Sequence, residues 1–335
     1  MTKPIGVLRA AVYVAAILAA ACAEDEGLMD SSPVENRDSG RGQGLETACA
    51  VMVNDKACDM RKRPIVFLHG PRSAGDSFGH PAQLFASNGY CSQRIRAIDY
   101  DAITRDDSGA AYPAIEARLD ALIADLLDVS QATKVDLIAH AQGAAYGTRY
   151  AAAHPDKVAH YIHLASGQLS SNPGGVPTLC LSSVSDRPVQ CNTTKNVTFD
   201  DPSLDHFAVC SSRQSFREMY AFLNDGAPPV HDTVQCGEPV VIEGRAITYG
   251  DNQQMSGGWV EVYALGETPW DRAAPLTTLE VREDGSVGPW TVQRGVAYEF
   301  KLIAGDNDDR KPRYAYYPPF ARTDRLLRFT FESRH

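Results

Sequence analysis

Short runs of unbroken apolar residues alternate with stretches of helical period through the middle of the chain. Pro64-Ile65-Val66-Phe67-Leu68 leads into His69-Gly70, and Val135-Asp136-Leu137-Ile138-Ala139 leads into a second glycine-bearing turn. Apolar runs of this length, bounded by turn signals, read as strands buried on both faces. Arg94 to Tyr100, Val158 to Leu164 and Thr178 to Ser182 supply three more strands. Between them, Ala111 to Leu127 sets apolar residues at 115, 119, 122, 123, 126 and 127, a helical stripe. Ala144 to Ala153 reads as a helix of small residues. Ser211 to Leu223 closes the series with Phe216, Met219, Tyr220 and Leu223 on one face. The alternation predicts an α/β fold, a mostly parallel sheet flanked by helices, over residues 49–230.

The pattern changes after the Gly-Ala-Pro-Pro segment at 226–229. Val240–Ile242, Trp259–Tyr263, Leu276–Val281, Thr291-Val292, Tyr298–Leu302 and Leu326–Phe331 are short, and several alternate with period two. Glycine- and aspartate-rich turns separate them. Residues 236–335 therefore read as an all-β sandwich. The aromatic cluster Tyr314, Tyr316, Tyr317 and Phe320 is read first as packing and second as a lipid- or glycan-binding patch.

The first 48 residues follow neither pattern. Lys3 and Arg9 precede the uncharged run Ala10 to Ala21, too short for a bilayer span and suited to a signal peptide over 1–22. Ala20-Ala21-Cys22 permits a lipidated Cys22, although Leu18 stands one position early; plain cleavage after Ala21 is the alternative. Residues 23–48 are Gly, Ser and acidic, the composition of a flexible linker. Both readings imply export, to the bacterial periplasm or outer membrane as a lipoprotein or into the medium, and export permits disulfides. Of eight cysteines, seven remain once Cys22 is set aside, which suits three bridges and one free thiol. Proximity in the chain suggests Cys180–Cys191 and Cys210–Cys236. No Cys-x-x-Cys or His pair at ligand spacing with an acidic partner occurs, so a metal site is not expected. With 32 basic against 42 acidic residues the formal charge is −10, a poor match to nucleic acid.

The turn Ala139-His140-Ala141-Gln142-Gly143 joins a buried strand to a small-residue helix. That is the context of a nucleophile elbow, Gly-x-Ser-x-Gly, with Ala141 in the serine's place. Asp186 follows the fifth strand, and His206 lies just before the closing helix, in the order nucleophile, acid, base. In those roles Asp186 would orient His206, and His206 would act as general base. With Pro64–Gly70, Val135–Gly143, Pro177–Asp186 and Leu204–Leu223, the chain resembles the secreted and lipoprotein-type bacterial lipases and esterases of the α/β-hydrolase superfamily, some of which carry a β-rich C-terminal module. The resemblance implies hydrolysis of lipid or acyl esters through an acyl-serine, with no metal or organic cofactor. It also implies an oxyanion hole formed by the backbone N–H groups at positions 71 and 142.

Two parts of that machinery are altered. Ala141 has no hydroxyl, and Pro71 has no N–H to donate; only Gln142 retains its donor. Loss of a nucleophile costs on the order of 10⁶ in rate, and loss of one oxyanion donor about 10²–10³. The expectation is a catalytically impaired ester hydrolase, the alternative a non-catalytic exported protein that binds a hydrophobic or acyl ligand. Ser73 and Ser166, the other hydroxyls near the predicted turns, read as turn residues and not as substitute nucleophiles.

Overall fold

The chain builds β1 (Ile65–Leu68), α1 (Gly79–Ser87), β2 (Ile95–Ile98), α2 (Tyr112–Ser130), β3 (Val135–His140), α3 (Gln142–Ala153), β4 (Val158–Leu164), β5 (Thr178–Ser183), β6 (Lys195–Phe199), α4 (Ala208–Ser211) and α5 (Arg213–Leu223). The strands form one sheet in the order β2-β1-β3-β4-β5-β6, and every neighbouring pair is parallel. This is the α/β-hydrolase architecture. The computed structural model describes residues 53–54, 57–104, 109–265, 274–306 and 308–333, which fall in one compact unit. The signal segment, the linker, Cys22 and Cys49 lie outside the described residues.

Both faces of the sheet are covered, which is why β1 is apolar without a break and why the buried Asp136 of β3 is paired with His160 at 2.9 Å. Ile65 and Phe67 pack with Phe78, Leu84, Phe85, Phe216 and Met219 on one side. Val66 and Leu68 pack with Leu119, Ile123, Tyr146 and Tyr150 on the other. All four strand residues are fully buried, each contributing about 1.5–3 kcal/mol relative to exposure. Two elements escaped the sequence pattern. Helix α1 contains Pro81, which is tolerated because it sits in the first turn. Strand β6 is an edge strand, and none of its residues is fully buried, so it lacks the apolar signal. The closing helix is divided at Ser212, whose Oγ accepts the Ser215 N–H at 3.1 Å and caps α5.

The C-terminal part holds β7 (Val241–Thr248), β8 (Trp259–Ala264), β9 (Thr277–Glu280), β10 (Ser286–Thr291), β11 (Tyr298–Ile303), β12 (Arg313–Tyr317) and β13 (Asp324–Phe331). An antiparallel sheet in the order β9-β8-β11-β12 faces a three-stranded sheet, β10-β7-β13, in which β13 runs parallel to β7. Val260, Val262, Phe300 and Leu302 from the first meet Ile242, Ala246, Leu327, Phe329 and Phe331 from the second in a shared core. Of the aromatic cluster, Tyr317 and Phe320 pack against this core, while Tyr314 and Tyr316 remain exposed.

Strand β13 ties this sandwich to the hydrolase sheet. Arg328 Nε donates to Asp99 Oδ1 at 2.9 Å with both side chains buried, and the same oxygen accepts the Gly75 N–H at 3.0 Å. Cys180–Cys191 is bridged as expected, and Cys58–Cys91 forms a bridge the spacing did not suggest. The pairing Cys210–Cys236 is corrected. Cys210 is a free thiol buried on α4 in the hydrolase core, and burial pushes its pKa up to about 12. Cys236 is disulfide-bonded, but not to Cys210. Closeness along the chain failed as a guide because α4 turns its cysteine inward. Among the described residues no helix is long and apolar enough to cross a membrane.

Candidate active site

Strand β3 ends at His140 and α3 begins at Gln142, so the reversal falls on Ala141. Its φ of 51° and ψ of −116° lie where an L-residue is strained, at a cost of about 1–3 kcal/mol held by the surrounding structure. The neighbours show what holds it. A Cβ on Gly143 would stand 2.3 Å from the His69 carbonyl oxygen and 2.8 Å from that of Leu68. A Cβ on Gly147 would stand 2.9 Å from that of Ala139. Only hydrogen at 143 and 147 lets α3 lie this close to β1 and β3. The Ala141 N–H donates to the Leu164 carbonyl at 2.9 Å, pinning the turn to the end of β4.

Asp186 follows β5, and His206 precedes α4. His206 Nδ1 donates to Asp186 Oδ2 at 2.8 Å. A carboxylate only accepts, so the ring proton sits on Nδ1 and leaves Nε2 free of that bond. The His206 main chain is held from below. His140 Nε2 donates to the His206 carbonyl at 2.8 Å, with the two rings 4.8 Å apart. Burial, reinforced by the charge of His206, lowers the pKa of His140 to about 4, so its ring is neutral at pH 7.

Ala141, Gln142, Pro71, Asp186 and His206 all line one cleft of about 680 Å³. Its donors are few. Pro71 has no N–H, and the next one, on Arg72, is committed to the Ala102 carbonyl at 2.8 Å. The Gln142 N–H opens α3 at its positive end, and no acceptor for it occurs among the described residues. Ser166 reaches the cleft, but its Oγ donates to the Ala141 carbonyl at 3.0 Å. Ser73 Oγ donates to the Gly70 carbonyl at 3.0 Å. Both hydroxyls therefore serve the main chain. Three arginines that sequence reasoning passed over, Arg72, Arg149 and Arg187, also line the cleft. No motif marks them, because they come from three separate segments.

The rim is buttressed from the sandwich. Asn252, buried in a turn after β7, donates through Nδ2 to the Ser73 carbonyl at 2.8 Å and to the Tyr100 carbonyl at 3.0 Å. The Ala102 N–H donates to the Gly250 carbonyl at 3.2 Å. Among the described residues no group of three or more His, Cys, Asp or Glu could hold a metal ion.

Residues 62–153 match the family model for lipase (class 2), and residues 238–334 match that for the lipase C-terminal domain. No curated protein sequence matched the chain. Similar solved structures include an esterase from Pyrococcus furiosus, with 12% identity over 49% of this chain and 83% of that one and a TM-score of 0.38. A pyrethroid hydrolase from Sphingobium faniae is similar at 15% identity over 48% and 97%, with a TM-score of 0.35.

Proposed function

From a lipase-type α/β-hydrolase scaffold bearing a lipase C-terminal domain, we propose an exported protein whose cleft binds an acyl-bearing ligand without turning over esters by the serine route. The observation that carries this reading is Ala141. The elbow is built, strained and buttressed, and it presents a methyl group where acyl transfer needs an oxygen. The missing donor at Pro71 removes a second part of the same transition-state machinery. The N-terminal segment and the disulfides support export, either secreted or anchored through Cys22 to a membrane surface.

A second reading rests on the intact His206–Asp186 pair: a base that directs water at a bound ester. The two readings separate in one assay. Hydrolysis of p-nitrophenyl octanoate by the mature protein should match that of a His206→Ala control. A fluorophosphonate should leave the parent unlabelled and should label Ala141→Ser at the new hydroxyl. A burst of p-nitrophenol from the parent would overturn the proposal and direct attention to Ser166.

A further inference from the structure

The cleft has a charge that an ester site does not need. Arg72 enters from the loop after β1, Arg149 from α3 one turn beyond Ala145, and Arg187 from the residue after Asp186. The Arg149 guanidinium lies 5.4 Å from the Tyr112 ring centroid and bonds the Gly109 carbonyl at 3.5 Å. Among the described residues no carboxylate pairs with any of the three. The one carboxylate in the described lining, Asp186, is engaged by His206. Among the described lining residues three arginines stand against one carboxylate, a local reversal of sign in a chain of formal charge −10.

A neutral ester offers these cations only an uncharged carbonyl acceptor, whereas a carboxylate fits the fork of a guanidinium with two parallel, charge-assisted hydrogen bonds. The Gln142 N–H adds an uncommitted donor in the same cleft. In a working hydrolase such a donor meets negative charge only in the transition state. Beside a methyl group at 141 it can meet a standing anion. Ala102, Ile103, Ala145 and Ala165 give the cleft its apolar wall.

We infer that the ligand of this cleft is the free carboxylate of an acyl chain, held by Arg72, Arg149 and Arg187, and not its ester. This rests on the reading of the cleft as non-hydrolytic. The test is calorimetric titration of the mature protein with sodium octanoate, methyl octanoate and sodium acetate, with chromatographic detection of any octanoate released from the ester. Octanoate should bind at least tenfold more tightly than either of the others. Arg72→Gln and Arg187→Gln should each weaken it about tenfold, as loss of one charge-assisted hydrogen bond does, while Arg187→Lys retains part of the affinity. Both arginines are exposed, so a circular dichroism melt should show each variant folded. Equal affinity for the methyl ester, equal affinity for acetate, or indifference to both glutamine variants would overturn the inference and leave the non-hydrolytic reading standing. Release of octanoate from the ester by the parent would overturn that reading itself.

Discussion

Lowering the pH from 7.5 to 5 should destabilise this protein through the buried ring of His140. The ring is buried between the elbow and the His206 loop, and its folded-state pKa is about 4 against an ordinary value of 6.5. Between those values the unfolded chain binds a proton that the folded chain refuses, so stability falls as pH drops through 6.5 and continues to fall to 4. Linkage puts the loss at about 2 kcal/mol by pH 5 and about 3.4 kcal/mol below pH 4. Asp136 and Asp324 act in the opposite sense, because burial raises their pKa values and their carboxyls take up protons more readily in the folded state. A comparison with His140→Gln cancels those contributions, and glutamine can still donate to the His206 carbonyl. Urea unfolding followed by far-ultraviolet circular dichroism at the two pH values gives the difference directly. The parent should lose about 2 kcal/mol more than the variant. Parallel losses in the two proteins would refute the argument and show that His140 is reached by water in the native state.

Three further outcomes follow. On an Ala141→Ser background, Pro71→Thr should raise kcat/KM for p-nitrophenyl octanoate, by up to about 10²–10³ if the restored N–H reaches the oxyanion; no gain means that position 71 does not face it. Arg328→Met should cost about 3–5 kcal/mol in thermal or urea unfolding, because it strands the buried Asp99 carboxylate. Adding Asp99→Asn should recover part of that loss. In a bacterial host, the parent should sediment with membranes and Cys22→Ser should not; equal recovery in the soluble fraction would favour ordinary cleavage after Ala21.

Hydrophobic patterning was informative where a strand is buried on both faces or a helix has a wide apolar stripe, as at Ile65–Leu68 and along α2. The elbow was legible because strained turns between strand and helix demand small residues at fixed offsets, and Gly143 and Ala139 stand at them. Asp186 and His206 lie 20 residues apart on loops that flank β6, so their meeting could be read from order alone. The rest is non-local or weakly patterned. Helix α1 is masked by Pro81, and β6 by its edge position. Arg328 meets Asp99 across 229 residues, and nothing in either neighbourhood announces the other. The cationic lining of the cleft has the same origin, three side chains from distant segments made neighbours by the sheet.

Asn252 has a consequence for how this protein could change over time. One side-chain amide in the sandwich carries the main chain of two separate loops at the mouth of the cleft. The shape of that mouth is therefore a joint property of the two halves of the chain, and neither half can inherit it alone. A hydrolase half recombined with a different C-terminal module would need more than a compatible surface. It would need a donor at that one point, aimed at both carbonyls, or the entrance would have to be evolved afresh.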